Sequence, residues 1–286
     1  VGKIIDTVET VSGLRKKVTA WRRSSEKVVL VPTMGALHEG HLSLVETAKN
    51  VGDRTVVSIF VNPTQFAPNE DFDSYPRDHQ RDLQKLAALD VDLVFMPARS
   101  EVYPDDFSTR VIVSGLSEGL CGASRPHFFG GVATVVAKLF NQCRPDAAIF
   151  GEKDYQQLLV IRRMARDLDM NVEVLGGSIV READGVAMSS RNAYLSADER
   201  AKAPELFRTI SNMADNLARG AAIGTQIEAG RTRLEEAGFR VDYLEVRDGE
   251  TLSPVTRSAR PPARVFGAAF LGKTRLIDNV PVPALS

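Results

Sequence analysis

Val28-Val29-Leu30-Val31-Pro32-Thr33-Met34-Gly35-Ala36-Leu37-His38-Glu39-Gly40-His41-Leu42-Ser43-Leu44 reads as a buried strand, a turn and the start of a helix. Val28 to Val31 form an unbroken apolar, mostly β-branched run, the pattern of a parallel strand covered on both faces. Pro32 is expected to end the ladder. Thr33 to Glu39 make a short loop, and from Gly40 the spacing of Leu42, Val45 and Ala48 predicts an amphipathic helix. A strand, a glycine-containing turn and a helix N-terminus gather backbone N–H groups and the positive end of the helix dipole at one place, which favours a phosphate. His38 and His41 stand at that place, three residues apart, where both imidazoles can donate to one polyphosphate. Two histidines in a polar loop, or half of a metal site, is the plainer reading. A zinc site needs three or four ligands at suitable spacing, and only His79 and His127 remain elsewhere.

The chain has 286 residues and a formal net charge of -1. That length points to about two domains, and the charge balance argues against a bulk electrostatic footprint for nucleic acid. Its two cysteines, Cys121 and Cys143, stand in no zinc spacing, and so sparse a set predicts a reducing cytoplasm. The early residues Lys3, Asp6, Glu9, Arg15 and Lys16 do not form a basic segment followed by an apolar signal core. No apolar run approaches the ~18 residues that span a bilayer. A cytoplasmic protein with no membrane and no nucleic-acid partner is expected.

Outward from the opening stretch, Val8 to Arg23 is expected to be a helix with Val11, Leu14, Val18 and Trp21 on its core face. Thr55 to Val61 reads as a second buried strand, ending at the polar cluster Asn62-Pro63-Thr64-Gln65-Phe66. Ala67 to Tyr75 is an acidic loop, either a solvated connection or an active-site flap. Asp78 to Leu89 is expected as a helix, Val91 to Met96 as a strand, and Thr109 to Val113 as an exposed strand. Val132 to Cys143 reads as a helix, Asp146 to Phe150 as a strand, Tyr155 to Leu168 as a helix, and Asn171 to Val180 contains one more strand. Strands alternating with helices up to residue 183 predict an α/β, Rossmann-like, doubly wound parallel sheet. Such sheets bind ligands beyond the carboxyl ends of their strands, where the connections diverge. His38/His41, Asn62/Gln65 and Lys153/Asp154 each follow a strand, so all three clusters are expected on one edge.

From residue 184 to 286 the pattern changes. Asp184 to Asn192 is polar and turn-like and reads as a hinge. Leu195 to Arg219 and Thr225 to Ala237 read as helices, and Arg240 to Val246, Ala263 to Phe270 and Thr274 to Asn279 as antiparallel strands. This predicts a second, smaller α+β domain closing over the first. Histidines, a lysine and a Ser-Ser-Arg run are all donors to oxygen anions. The collection suits in-line attack at the α-phosphorus of a triphosphate, stabilised by fixed donors and Mg²⁺. Lys153 is read as the point charge on the phosphates, His41 as the transition-state donor and His38 as a support for the triphosphate. Arg191, Ser189 and Ser190 would hold it from the mobile side. Gln65 and Gln157 suit the hydroxyl and carboxylate of a small polar acid. Taken singly, Lys153 reads as a surface turn and each glutamine as a surface residue; four donor clusters in order give the other reading.

The blocks Pro32 to His41, Asn62 to Phe66, Gly151-Glu152-Lys153-Asp154-Tyr155-Gln156-Gln157 and Met188-Ser189-Ser190-Arg191-Asn192 resemble those of the pantothenate synthetase (pantoate–β-alanine ligase) family, within the HIGH-motif nucleotidyltransferases. The resemblance implies ATP-dependent condensation of pantoate with β-alanine through a pantoyl adenylate, releasing AMP and pyrophosphate. It implies that ATP contacts Met34, Gly35, Ala36, Leu37, His38, Glu39, Gly40 and His41, then Gly151, Glu152, Lys153 and Asp154, Val180, and Met188, Ser189, Ser190 and Arg191. It places pantoate at Gln65 and Gln157, with Asn62 in the same substrate-binding block and Gln65 also near β-alanine. Asp82 matches an acidic position associated with the magnesium-bearing phosphates, and a homodimer is implied. Relatives usually read Arg-Pro-x-His-Phe where this chain has Arg125-Pro126-His127-Phe128-Phe129, so His127 is left out of the site.

Three rivals stay open on sequence. One is a nucleotidyltransferase that leaves the nucleotide on its product, for which the Asn62 to Phe66 block has no purpose. A tRNA-charging enzyme would need a basic anticodon-binding appendage, which the sequence lacks. A non-catalytic nucleotide sensor would not need His41 and Lys153.

Overall fold

The computed structural model describes residues 5–68 and 70–284. The strands are β1 (Thr7–Val8), β2 (Val28–Thr33), β3 (Arg54–Ile59), β4 (Leu93–Phe95), β5 (Ala147–Gly151), β6 (Glu173–Gly177), β7 (Arg240–Arg247), β8 (Arg264–Leu271) and β9 (Thr274–Pro281). The helices are α1 (Val11–Arg23), α2 (Glu39–Val51), α3 (His79–Ala88), α4 (Arg99–Val102), α5 (Cys121–Ser124), α6 (Phe128–Cys143), α7 (Tyr155–Asp167), α8 (Ala197–Lys202), α9 (Pro204–Ala218) and α10 (Ile223–Glu236). Short 3-10 turns cover Pro63–Gln65, Glu152–Asp154 and Ser190–Tyr194.

The chain divides into two compact units. The first runs to Ser114 and takes in Arg125–Glu152 and Gln157–Ser178; the second comprises Gly115–Ser124, Lys153–Gln156 and everything from Ile179.

In the first unit six strands form a sheet in the order β1-β4-β3-β2-β5-β6, with every neighbouring pair parallel. From β2 the chain moves to β3 and β4 on one side, then returns to β5 and β6 on the other. The connections therefore diverge between β2 and β5, the place where doubly wound sheets hold ligands. Val29, Val31, Val57, Val94 and Ile149 from the strands pack with Leu44, Val45 and Ala48 of α2 and Leu86 of α3. Val28, Leu30, Val56, Phe95 and Ala148, at the alternate strand positions, are equally buried, so both faces are covered as the apolar runs predict.

Several expectations change in detail. Pro32 lies inside β2, paired with Ser58, because its missing N–H falls on the side of β5, whose ladder with β2 is confined to Val29 and Leu30. The opening segment is a short strand before α1, with Thr7 and Val8 paired to Val94 and Phe95. Thr10 caps α1 by accepting the Gly13 N–H at 3.1 Å, which sets the helix start at Val11. Trp21 is half-buried under the guanidinium of Arg54, 5.6 Å from the ring, so it borders the core that Leu14 and Val18 enter. Thr109–Val113 joins no sheet among the described residues; the Val111 N–H donates to the Thr134 hydroxyl at 3.0 Å. The acidic loop is packed by its aromatic residues, with Phe66 edge-on to Phe72 and Tyr75.

In the second unit β7, β8 and β9 form an antiparallel sheet in that order. Ile210, Met213 and Leu217 of α9 and Leu234 of α10 pack with Leu244, Val265 and Leu276 of the strands. The long helix expected from Leu195 is split into α8 and α9. Pro204 stands at the first position of α9, where a missing N–H costs nothing. Among the described residues, no helix is long and apolar enough to cross a membrane.

Candidate functional site

In the first unit, the residues following β2 and β3 and those ending β5 stand beside one another at the carboxyl edge, because these strands are neighbours in the parallel sheet. After β2 the chain takes two consecutive left-handed residues, Gly35 at φ 81° and Ala36 at φ 51°. Asp82, on α3 and 2% exposed, holds this turn: its two oxygens accept the N–H groups of Ala36 (2.9 Å) and Leu37 (2.8 Å). Lys85, one turn further along α3, donates to the Leu37 carbonyl. A Cβ at Gly35 would lie 3.0 Å from the Asp82 carboxylate and 3.1 Å from Ile59, in a conformation already strained for other residues.

His38 is the N-cap of α2, its Nδ1 accepting the Gly40 N–H at 3.1 Å. The Nδ1 of His41 accepts the His38 N–H at 3.4 Å, and the two rings lie 4.0 Å apart, tilted by 39°. An imidazole whose Nδ1 accepts carries its proton on Nε2 when neutral. The helix start therefore differs from the sequence expectation. The N–H groups of Ala36, Leu37, His38 and Gly40 each donate to a side chain of the protein.

After β3, Asn62 caps the Pro63–Gln65 turn and is 1% exposed. Its oxygen accepts from the hydroxyls of Tyr103 and Thr64, both at 2.9 Å, and its nitrogen donates to Gln65 Oε1 (2.9 Å) and the Gly131 carbonyl (3.2 Å). Asn62 is thus saturated by the protein and reaches any ligand only through Gln65. With Oε1 fixed on Asn62, the Gln65 amide directs its donor end toward Met34, whose sulfur lies 3.2 Å away. Gly131 lets α6 approach this turn: a Cβ there would lie 2.3 Å from the Thr64 carbonyl oxygen. Arg125 donates to the Gln65 carbonyl at 3.1 Å and pairs with Glu70. Gly151 ends β5 and Glu152 follows it, while Gln157 is half-buried near the start of α7. His127 precedes α6, exposed and without a capping hydrogen bond.

In the second unit Lys153 is largely buried, its ammonium 3.9 Å from the Asp154 carboxylate. Val180 accepts the Met188 N–H at 3.0 Å, next to an antiparallel bridge between Arg181 and Ala187. Ser189 caps the following turn through the Arg191 N–H at 3.3 Å, so Ser189, Ser190 and Arg191 stand together, all half-buried. Ion pairs anchor the segment from Arg181 to Asp184. Arg181 forks onto Asp278 at 2.6 and 2.9 Å, and Arg200 bridges Glu182 and Asp184 at 2.6 and 2.7 Å. The Arg200 guanidinium holds the Asp184 carboxyl below the usual carboxylate range.

Sequence reasoning missed Tyr103, Gly131 and Asn279. Only Asn279 left a signal: with Asp278 it interrupts the apolar run of β9, and polar groups buried in a strand need partners.

The described residues contain no group of three or more His, Cys, Asp or Glu that could hold a metal ion. Asp82, expected near the metal-bearing phosphates, has each oxygen on a backbone N–H.

The family model described as pantoate-beta-alanine ligase matches residues 6–281. The pantothenate synthetase of Bradyrhizobium sp. strain BTAi1 is 57% identical over 274 residues, covering 96% of this chain and 97% of the relative. That of Rhodospirillum rubrum is 52% identical, covering 98% and 100%. Among solved structures, a pantothenate synthetase from Thermus thermophilus superposes with a TM-score of 0.92 at 47% identity, covering 97% of this chain and 99% of that one. A pantoate-beta-alanine ligase from Francisella tularensis, solved with beta-gamma ATP and beta-alanine, superposes with a TM-score of 0.83 at 32% identity, covering 97% and 98%.

Proposed function

The chain belongs to the pantoate-beta-alanine ligase family, and on that premise we propose how its own residues carry the reaction. It is an ATP-dependent ligase that condenses pantoate with β-alanine through a pantoyl adenylate. In the first step a pantoate carboxylate oxygen attacks the α-phosphorus of ATP and pyrophosphate leaves. In the second the β-alanine amine attacks the acyl carbon and AMP leaves, with one amine proton lost.

His41 and His38 donate from Nε2 to the phosphate oxygens as charge builds on them, and Lys153 supplies the point charge for the departing pyrophosphate. Ser189, Ser190 and Arg191 bind the same triphosphate. Gln65 presents its amide N–H to pantoate and then to β-alanine, and Gln157 completes the pantoate subsite. Residues 1–183 serve as the nucleotide- and pantoate-binding domain, and 184–286 as a lid that closes on bound nucleotide. Magnesium would accompany the triphosphate as its counter-ion and supply positive charge at the phosphate oxygens. A homodimer working in the cytoplasm completes the reading, supported by the family resemblance and the sparse cysteines.

The observation that carries this assignment is the histidine pair. Both Nδ1 atoms are occupied by backbone N–H groups at the mouth of the central strand, which makes each ring a fixed donor. The test is exchange of pyrophosphate into ATP. Exchange that requires pantoate, followed by pantothenate on adding β-alanine, is the expected result. Exchange without any acid would instead identify a nucleotidyltransferase, and ATP binding without exchange a sensor.

A further inference from the structure

Within the second unit, the run Lys153–Gln156 is fastened to elements far away in sequence. Asn279 of β9, 2% exposed, donates its amide nitrogen to the Lys153 carbonyl at 3.1 Å. Its amide oxygen accepts from Nε (3.0 Å) and Nη2 (2.6 Å) of Arg264 on β8. A guanidinium has only donors, so the Asn279 oxygen must face Arg264 and the amide nitrogen must face Lys153. Arg264 also lies over the Tyr155 ring at 4.0 Å, and the Tyr155 hydroxyl donates to the Gly249 carbonyl at 3.0 Å. The buried Gln156 amide donates to the carbonyls of Leu116 (2.9 Å) and Gly119 (2.8 Å) and accepts the Cys121 N–H at 3.1 Å.

We infer that Asn279, its amide orientation locked by Arg264, is a positioning residue for Lys153, and that the lysine is carried by the second unit although it follows a strand of the first. This rests on the reading of Lys153 as the phosphate-binding lysine. The physical need is plain. A lysine ammonium rides on a flexible four-carbon stem, so its reach is set by where the backbone is pinned, and a displacement of about 1 Å in a catalytic group costs up to about 10²-fold in rate.

Asn279→Asp separates the roles. It keeps an acceptor for Arg264 but replaces the donor to Lys153 with a second acceptor. In the full-length protein the expected result is a folded enzyme with a lowered thermal midpoint, because two acceptors then face each other inside the protein, and a single-turnover rate of adenylate formation lowered about 10- to 100-fold. The rate at which preformed enzyme-bound pantoyl adenylate reacts with β-alanine should be unchanged. In a Lys153→Ala background the same substitution should have no further effect on adenylate formation, because the two residues act as one unit. Should Asn279→Asp fail to fold, Arg264→Lys loosens the amide without placing charge on it and should give a smaller loss in the same step. Parental adenylate formation in a folded variant, equal losses in both half-reactions, or additivity with Lys153→Ala would overturn the inference. A parent protein without pantoate-dependent exchange would instead remove the proposed function.

Discussion

The Nδ1 of His41 accepts the backbone N–H of His38 at 3.4 Å, so the second histidine of the motif helps cap the helix that the first one begins. Each ring thereby serves the fold as well as the proposed chemistry. His41→Ala and Lys153→Ala are each expected to slow adenylate formation by ~10²–10³, the effect of removing one preorganised donor. His38→Ala should in addition cost about 1 kcal/mol of stability through the lost cap. Rapid-quench single turnovers and thermal melts measure the two effects; unchanged rates in both His41→Ala and Lys153→Ala would end the assignment.

Asp82 gives a second prediction. Asp82→Ala removes the acceptor of the half-buried Ala36 N–H and of the buried Leu37 N–H, and a buried donor left so costs about 1–3 kcal/mol. Stability and the ATP half-saturation should both worsen. The magnesium concentration for half-maximal rate in the milder Asp82→Asn should match the parent's. A marked rise there would make Asp82 a metal ligand.

Tyr103→Phe removes a hydroxyl that donates to Asn62 at 2.9 Å inside the protein. Burial already pushes that phenol above its ordinary value, consistent with its acting as a donor. The variant should lose about 1 kcal/mol of stability and bind pantoate more weakly through a loosened Gln65, with little change for ATP. Titration of each ligand by calorimetry reads this, and an equal loss for both would argue against the chain from Tyr103 to Gln65.

Burial pushes the Cys143 thiol up from 9.0 to about 12. Since the thiolate is the nucleophile, Cys143 should resist iodoacetamide at pH 8 in the folded protein and react once denaturant is added, as peptide mass mapping would show. The folded state retains a proton that the unfolded state releases, so this site's contribution to stability is complete below pH 9 and declines as the pH rises toward 12. Melts that improve across that alkaline range in the parent relative to Cys143→Ala would contradict the sign.

ATP with pantoate should protect the Glu182–Gly185 turn from limited proteolysis. Arg200→Ala, which releases Glu182 and Asp184, should expose it further. Equal cleavage with and without nucleotide would count against closure.

Much of the fold was legible because burial leaves a direct trace. The runs Val28–Val31 and Thr55–Val61 are apolar on both faces, and only a covered parallel strand has use for that. Thr109–Val113 misled because its alternation describes a strand, whereas a strand exists only with a neighbour to bond. The candidate site was legible at His38, His41, Gln65 and Lys153, where donor side chains directly follow strands. It was not legible at Tyr103 or Asn279, whose roles depend on which distant backbone they meet.

By itself the sequence determined the elements, the alternation that builds the parallel sheet and the family to which the four motif blocks belong, since each is written in local pattern and spacing. Tertiary structure alone decided that Asp82 closes on the turn before the histidines, that Asn62 is consumed in orienting Gln65, and that Lys153 is tied to β9. A hydrogen bond between residues tens of positions apart carries no mark in either segment until the chain has folded and a buried donor must find its acceptor.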